Sequence, residues 1–344
     1  MERHTAVSQL ATNERARSRP QHFLFLKLKL KLVANTSPPS HIPILSHFNS
    51  INTMSPAIVP YVNALGQEFT QMHQHYPMSD IFYTNFEKEY NSIPGFQWVQ
   101  AHPEVPAVMI VCYLAFCYFG QKIMKNREPF DLKWPLAYWN LFLSTFSTIG
   151  MMRTVPHLLH TLSRQTMEET ICTDAQAQSN GDGVVGLWVQ LFVLSKIPEL
   201  IDTVFIVLRK KPLIFLHWYH HITVLAFCWN CYATKSSTGL IFCAMNYSVH
   251  AIMYGYYFLM AVGAKPKWMK PVVITLAQIS QMIVGTTICI MSAVLMYKKG
   301  SDCAVTRNNI LPGALMYGSY LYLFCEFAVK RFILAPKKKV KKIE

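Results

Sequence analysis

Apolar residues gather along the chain into seven blocks, at about 105–124, 136–160, 185–208, 213–233, 239–262, 271–297 and 309–334. A helix rises about 1.5 Å per residue, so blocks of this length match a hydrocarbon core about 30 Å thick. The pattern predicts an all-α polytopic membrane protein with seven transmembrane helices over residues 105–334. Both flanks break the pattern. Within 1–53 a period-two stretch from Phe23 to Leu32 is interleaved with Lys27, Lys29 and Lys31, which suits neither a spanning helix nor a signal peptide. A Pro/Ser-rich run follows, so this segment reads as a disordered extension, with Met54 as an alternative start. Residues 54–104 are mixed and polar, with a short amphipathic piece at Tyr83–Tyr90, and 335–344 form a basic tail.

Charge orients the blocks. Lys122, Lys125, Arg127 and Lys133 follow the first, Arg209, Lys210 and Lys211 the third, and Lys265, Lys267 and Lys270 the fifth. The loop after the second block instead carries Glu168, Glu169, Asp174 and Asp182. Basic loops stay cytosolic, so the N-terminal segment is placed in the lumen and the C-terminus in the cytosol, with Lys298, Lys299 and Arg307 running against the trend. A cytosolic tail ending Lys341-Lys342-Ile343-Glu344 fits a dilysine retrieval signal of the endoplasmic reticulum membrane. The composition agrees, being 52% hydrophobic and only 15% charged. The net charge of +14 lies in short clusters between apolar blocks, which points to topology and anionic substrates rather than to nucleic acid. Most of the nine cysteines fall in apolar blocks and read as inert buried thiols. Cys172 and Cys303 fall in polar loops on the lumenal side, where an oxidising compartment permits a bond between them.

Polar residues inside apolar blocks are costly at membrane depth, and they converge. His217, His220 and His221 share one helical face near the cytosolic start of the fourth block. The third block brings Lys196, Glu199, Asp202 and Thr203, the fifth Asn246, His250 and Tyr254, and the sixth Gln278 and Gln281. At 1.5 Å per residue all reach a similar depth in the cytosolic half of the bilayer. Each has a plainer reading: Glu199 and Asp202 pair with Lys196, the glutamines hold helices together, and Pro198 only kinks its helix. His157 and His160 lie at the opposite end and read as structural or interfacial. The shared depth favours a reaction chamber or a polar transport path.

Two chemistries fit the histidines. An HxxHH box suits iron, as in membrane desaturases and hydroxylases, but those sites draw histidines from several boxes and this chain offers one box plus His250. Alternatively a neutral imidazole takes an acyl group from a thioester, while neighbouring histidines move protons and amides stabilise an oxyanion or enolate.

The motifs Lys196-Ile-Pro-Glu199-Leu-Ile-Asp202-Thr203, His217-Trp-Tyr-His220-His221, Asn246-Tyr-Ser-Val-His250-Ala-Ile-Met253-Tyr254 and Thr275-Leu-Ala-Gln278-Ile-Ser-Gln281 occur in that order. From about Phe82 onward the chain resembles the ELO very-long-chain fatty acid elongases, closest to the branch acting on saturated and monounsaturated chains. The resemblance implies condensation of a long-chain acyl-CoA with malonyl-CoA by a 3-oxoacyl-CoA synthase, with six of seven helices enclosing an acyl tunnel and neither metal nor other cofactor. It implies His220 as acyl acceptor facing His250, His217 and His221 as supports, and Lys196, Glu199, Asp202, Asn246, Tyr254, Gln278 and Gln281 as substrate-binding or bracing groups. It also includes a disulfide at Cys172 and Cys303. Arg209, Lys210, Lys265 and Lys267 are placed to meet CoA phosphates. Ketoacyl reductase, dehydratase and enoyl reductase partners are expected, and a homodimer is compatible. A di-iron desaturase or hydroxylase and a non-enzymatic lipid transporter are the alternatives.

Overall fold

The structure, a computed structural model, describes residues 58–63, 66–175 and 182–334. The readings of 1–53 and of Lys341 and Lys342 lie outside the described residues. The chain before the first long helix is compactly folded. Strands β1 (Tyr61–Val62) and β2 (Glu68–Phe69) pair antiparallel, and α1 (Met72–His75), a 3-10 turn at Pro77–Phe82 and α2 (Asn85–Lys88) follow. A reciprocal cap starts α2: the Thr84 hydroxyl accepts from the Glu87 amide, and the Glu87 carboxylate accepts from the Thr84 amide. The amphipathic piece at Tyr83–Tyr90 is thus a single helical turn, because Glu87 faces inward rather than towards water. Its carboxylate also accepts from Arg153 Nε at 2.9 Å and from Trp188 Nε1 at 2.8 Å. Next comes α3 (Ile93–Ala101), whose approach is fixed by the Asp182 carboxylate accepting from the Ser92 amide at 2.7 Å.

Each apolar block is helical. They form α4 (Glu104–Met124), α5 (Lys133–Arg164), then after the short α6 (Met167–Cys172) the pair α7 (Gly183–Ser195) and α8 (Ile201–Leu208). There follow α9 (Phe215–Ala233), α10 (Gly239–Val262), α11 (Pro271–Lys299) and α12 (Arg307–Ala328), which ends in a π turn at Val329–Ile333. On length and composition alone, Glu104–Met124 and Pro271–Asp302 are apolar enough to cross a membrane. The third block is not one kinked helix. Pro198 has no amide to donate and its ring crowds the carbonyl four residues back, so the ladder tightens to 3-10 bonds from Lys196 to Val193 and from Ile197 to Leu194. The 3-10 turn Pro198–Leu200 separates α7 from α8.

Two close helix pairs set the frame. A Cβ at Gly150 of α5 would lie 2.5 Å from the ring of Tyr247 on α10, and one at Gly285 of α11 would run into the ring of Tyr317 on α12. Glycine is what lets each tyrosine ring lie against the facing backbone. Trp188, Phe192, Tyr247, Trp229 and Leu240 are buried where α7, α9 and α10 meet. Helix α4 packs from outside against α8 and α9. Cys172 and Cys303 are disulfide-bonded, tying the end of α6 to the turn before α12.

Candidate active site

The break between α7 and α8 exposes the site's charged residues to one another. Lys196 and Glu199, each at most 3% exposed, pair at 2.7 Å, and the Ser195 hydroxyl donates to the same carboxylate oxygen. Lys196 Nζ also donates to Asn246 Oδ1 at 3.3 Å. An ammonium can only donate, so the Asn246 amide must turn its NH2 the other way, where it meets His250 Nε2 at 3.3 Å. His250 therefore accepts through Nε2 and carries its proton on Nδ1. Asp202 is held separately: Trp139 Nε1 donates to one oxygen at 2.6 Å and the Tyr254 hydroxyl to the other at 2.7 Å. The plainer reading, Glu199 and Asp202 both paired with Lys196, holds for Glu199 only.

The four histidines differ in what their nitrogens touch. His217 Nε2 lies 2.9 Å from the Thr203 hydroxyl, and His250 is bound to Asn246. The His217 and His221 rings are 4.5 Å apart, and His220 and His221 are 5.5 Å apart. Among the described residues no hydrogen bond engages the His221 ring, nor that of His220. Its backbone is braced instead, since the Tyr320 hydroxyl donates to the His220 carbonyl at 3.1 Å and the Tyr320 ring lies 5.1 Å from its own. His220 is only partly buried whereas His221 is 5% exposed. A fixed, accessible imidazole with uncommitted nitrogens is what a nucleophile requires.

A cavity of about 720 Å³ joins these groups. Its wall contains all four histidines, Glu199, Asp202, Asn246, Tyr254, Gln278 and Gln281. Lys196 stands behind that wall, reaching it through Glu199 and Asn246. Gln278 Nε2 donates to Met253 Sδ at 3.3 Å. The basic side chains on the cavity are Lys133, Arg209 and Lys211. Of the bases singled out from sequence only Arg209 is among them. Lys210, in a left-handed corner with φ of 52°, donates to the carbonyls of Lys125 and Arg127, and Lys265 donates to Met269. Lys267 is not on the wall either. Asn246 also borders a second, apolar cavity of about 90 Å³ between α7, α9, α10 and α12, lined by Phe192, Val224, Phe227, Phe242, Met316 and Tyr317 among others. Cys228 and Cys231, spaced C-x-x-C, line this second cavity as free thiols. Among the described residues no three His, Cys, Asp or Glu side chains are grouped to hold a metal ion.

Sequence reasoning missed Trp139, Tyr113 and Tyr320, the side chains that hold Asp202, Thr203 and His220 in place. Aromatics in apolar blocks look like packing, and only the partner across the helix interface reveals the polar tip.

Residues 98–340 match the GNS1/SUR4 (ELO) family. The chain belongs to the ELO family. Fatty acid elongase 3 of Trypanosoma cruzi is 40% identical over 276 residues, covering 73% of this chain and 91% of that protein. Very long chain fatty acid elongase 6 of Mus musculus is 41% identical over 256 residues, covering 74% and 95%. Its namesake from Drosophila melanogaster is 44% identical over 225 residues, covering 65% and 70%. All four histidine-, amide- and carboxylate-bearing motifs lie inside the matched region, and an ELO-family chain is a helical membrane protein.

Proposed function

We propose that this protein condenses a long-chain acyl-CoA with malonyl-CoA through an acyl-histidine on His220, releasing CO2 and CoA. The observation that carries it is the contrast among the histidines: His217 and His250 are tied down by hydrogen bonds and His221 is buried, while His220 is braced through its backbone and leaves a partly exposed ring free. Its imidazole attacks the thioester carbonyl, the C–S bond breaks, and CoA leaves with the proton that the imidazole gives up. Malonyl-CoA then loses its carboxylate as CO2, and the electron pair left on carbon attacks the acyl carbon. The C–N bond breaks and the imidazole regains a proton, one proton being taken up from solvent overall. Asn246, Gln278 and Gln281 offer amides where an enolate oxygen develops, and the acyl tail follows the apolar cavity beyond Asn246.

Lys133, Arg209 and Lys211 are the bases placed for CoA phosphates. The topology that suits this is seven spans in the endoplasmic reticulum membrane, with the histidines near the cytosolic face. The 3-oxo product must next be reduced, dehydrated and reduced again, so ketoacyl reductase, dehydratase and enoyl reductase are the expected partners. A test incubates purified protein with both CoA esters and follows products by mass. A 3-oxoacyl-CoA two carbons longer, formed without oxygen, supports condensation. Oxygen-dependent loss of two hydrogens points to a desaturase, and substrate movement with no new C–C bond points to a transporter.

A further inference from the structure

Helix α4 contributes nothing to the wall of the large cavity, yet it carries a buried hydroxyl that reaches the histidine box through one intermediate. Tyr113, 5% exposed, lies with its phenolic oxygen 2.7 Å from Thr203 Oγ1, and Thr203, fully buried on α8, lies 2.9 Å from His217 Nε2. Three helices are thereby joined by two hydrogen bonds in series. The direction of the protons follows from the inventory of donors and acceptors. A threonine hydroxyl has one proton to give. If it spent that proton on Tyr113, the phenol, a better donor than an aliphatic hydroxyl, would be left with the Cys117 sulfur one turn along α4, a weak acceptor. If Tyr113 donates to Thr203 and Thr203 donates on to His217, every proton meets an oxygen or nitrogen lone pair. That order leaves Nε2 of His217 as an acceptor and puts its proton on Nδ1.

We propose that Tyr113 is a positioning residue that, through Thr203, holds His217 in the neutral Nδ1–H tautomer. His217 then offers the cavity an N–H donor suited to the carbonyl oxygen of a thioester, and not a lone pair competing with His220 for the acyl carbon. The same arrangement recurs at His250, whose Nε2 is occupied by Asn246, so both bonded histidines become donors, and of the two rings left without a hydrogen bond His220 is the one not fully buried. This assignment explains why an outer helix matters to a chamber it does not line, and it rests on the reading of His220 as the acyl acceptor.

The experiment compares Tyr113→Phe, Thr203→Val, Thr203→Ser and the double variant Tyr113→Phe/Thr203→Val as purified full-length protein. Product formation from acyl-CoA and malonyl-CoA is measured alongside 15N spectra of histidine-labelled protein. The expected result is a fall in kcat on the order of tenfold to a hundredfold for Tyr113→Phe and Thr203→Val, as for other outer partners of functional histidines. KM should hardly change, the double variant should be no worse than either single, and Thr203→Ser should retain most activity. The His217 Nε2 resonance should move from pyridine-like towards pyrrole-like in Tyr113→Phe. Wild-type kcat in Tyr113→Phe would overturn the proposal. So would losses that add in the double variant and track a lowered unfolding temperature, with the His217 resonance unmoved. If Tyr113→Phe does not fold, Thr203→Val against Thr203→Ser decides the same point. Absence of any acyl adduct on wild-type protein would count against the His220 reading alone, because the tautomer is read directly from the spectrum.

Discussion

At the scale of single residues, the site works by committing most of its polar atoms to each other. A buried Lys196–Glu199 pair is expensive to desolvate, and its use here is directional: it fixes which way the Asn246 amide faces, and so which nitrogen of His250 is occupied. Asn246→Asp keeps an acceptor for Lys196 but removes the N–H donated to His250. Its expected effect is a loss of about 10- to 100-fold in kcat with little change in unfolding temperature, measured on the purified variant. Lys196→Met, by contrast, strands a buried carboxylate and should cost about 3–5 kcal/mol of stability in a denaturation assay. The titratable members of this cluster were legible in the sequence because charged and imidazole side chains stand out against apolar blocks. Their supports were not. Tyr113, Trp139 and Tyr320 look like ordinary lipid-facing or core aromatics until the helix opposite is in place. The basic rim was legible only at Arg209, for a related reason: the positive-inside pattern tells on which side of the membrane a lysine sits, not whether its ammonium is spent on a backbone carbonyl, as at Lys210 and Lys265.

At the scale of elements, the apolar blocks gave the long helices to within a few residues because length and hydrophobicity decide them. The break between α7 and α8 required one residue, Pro198, whose effect depends on whether neighbours re-satisfy the freed backbone groups. Pro156 inside α5 and Pro312 inside α12 leave their helices continuous. Position relative to the site distinguishes Pro198: the 3-10 turn presents Glu199 while α8 presents Asp202 and Thr203 to different partners. The glycine contacts are a second element-scale feature invisible in a single sequence. Gly285→Ala should destabilise by about 1–3 kcal/mol in thermal or denaturant unfolding, since the new methyl meets the Tyr317 ring. Tyr317 also lines the apolar cavity and stacks on Phe242 at 4.9 Å between centroids, so the same variant should alter the distribution of acyl lengths elongated.

At the scale of the molecule, the N-terminal segment and the Cys172–Cys303 bond tie distant parts of the described chain together. Phe96 of α3 and Ser92 border the apolar cavity, and the segment that carries them is pinned by Glu87 to Arg153 and Trp188. Burial alone would raise the Glu87 carboxyl, but the bonds from Arg153, the Thr84 amide and Trp188 outweigh it and hold it below the ordinary carboxylate range. A depressed folded value stabilises the fold above the unfolded pKa of about 4.3 and loses that contribution as pH falls through the folded value. Unfolding temperature should therefore drop below about pH 4, and Glu87→Gln should flatten that drop. Reduction of the disulfide, which spans a sequence separation of 131 residues, should cost about 2–5 kcal/mol, seen as a lower unfolding temperature in reductant.

The central claim is that His220 carries the acyl group. Its most direct test is the intact mass of purified protein after incubation with palmitoyl-CoA and no malonyl-CoA, for wild type and His220→Ala. The account predicts a gain of one acyl group on the wild type, absent in the variant and discharged by malonyl-CoA into a longer 3-oxoacyl-CoA. An adduct of equal yield on His220→Ala, or elongation by the wild type with no adduct at any time point, would contradict it.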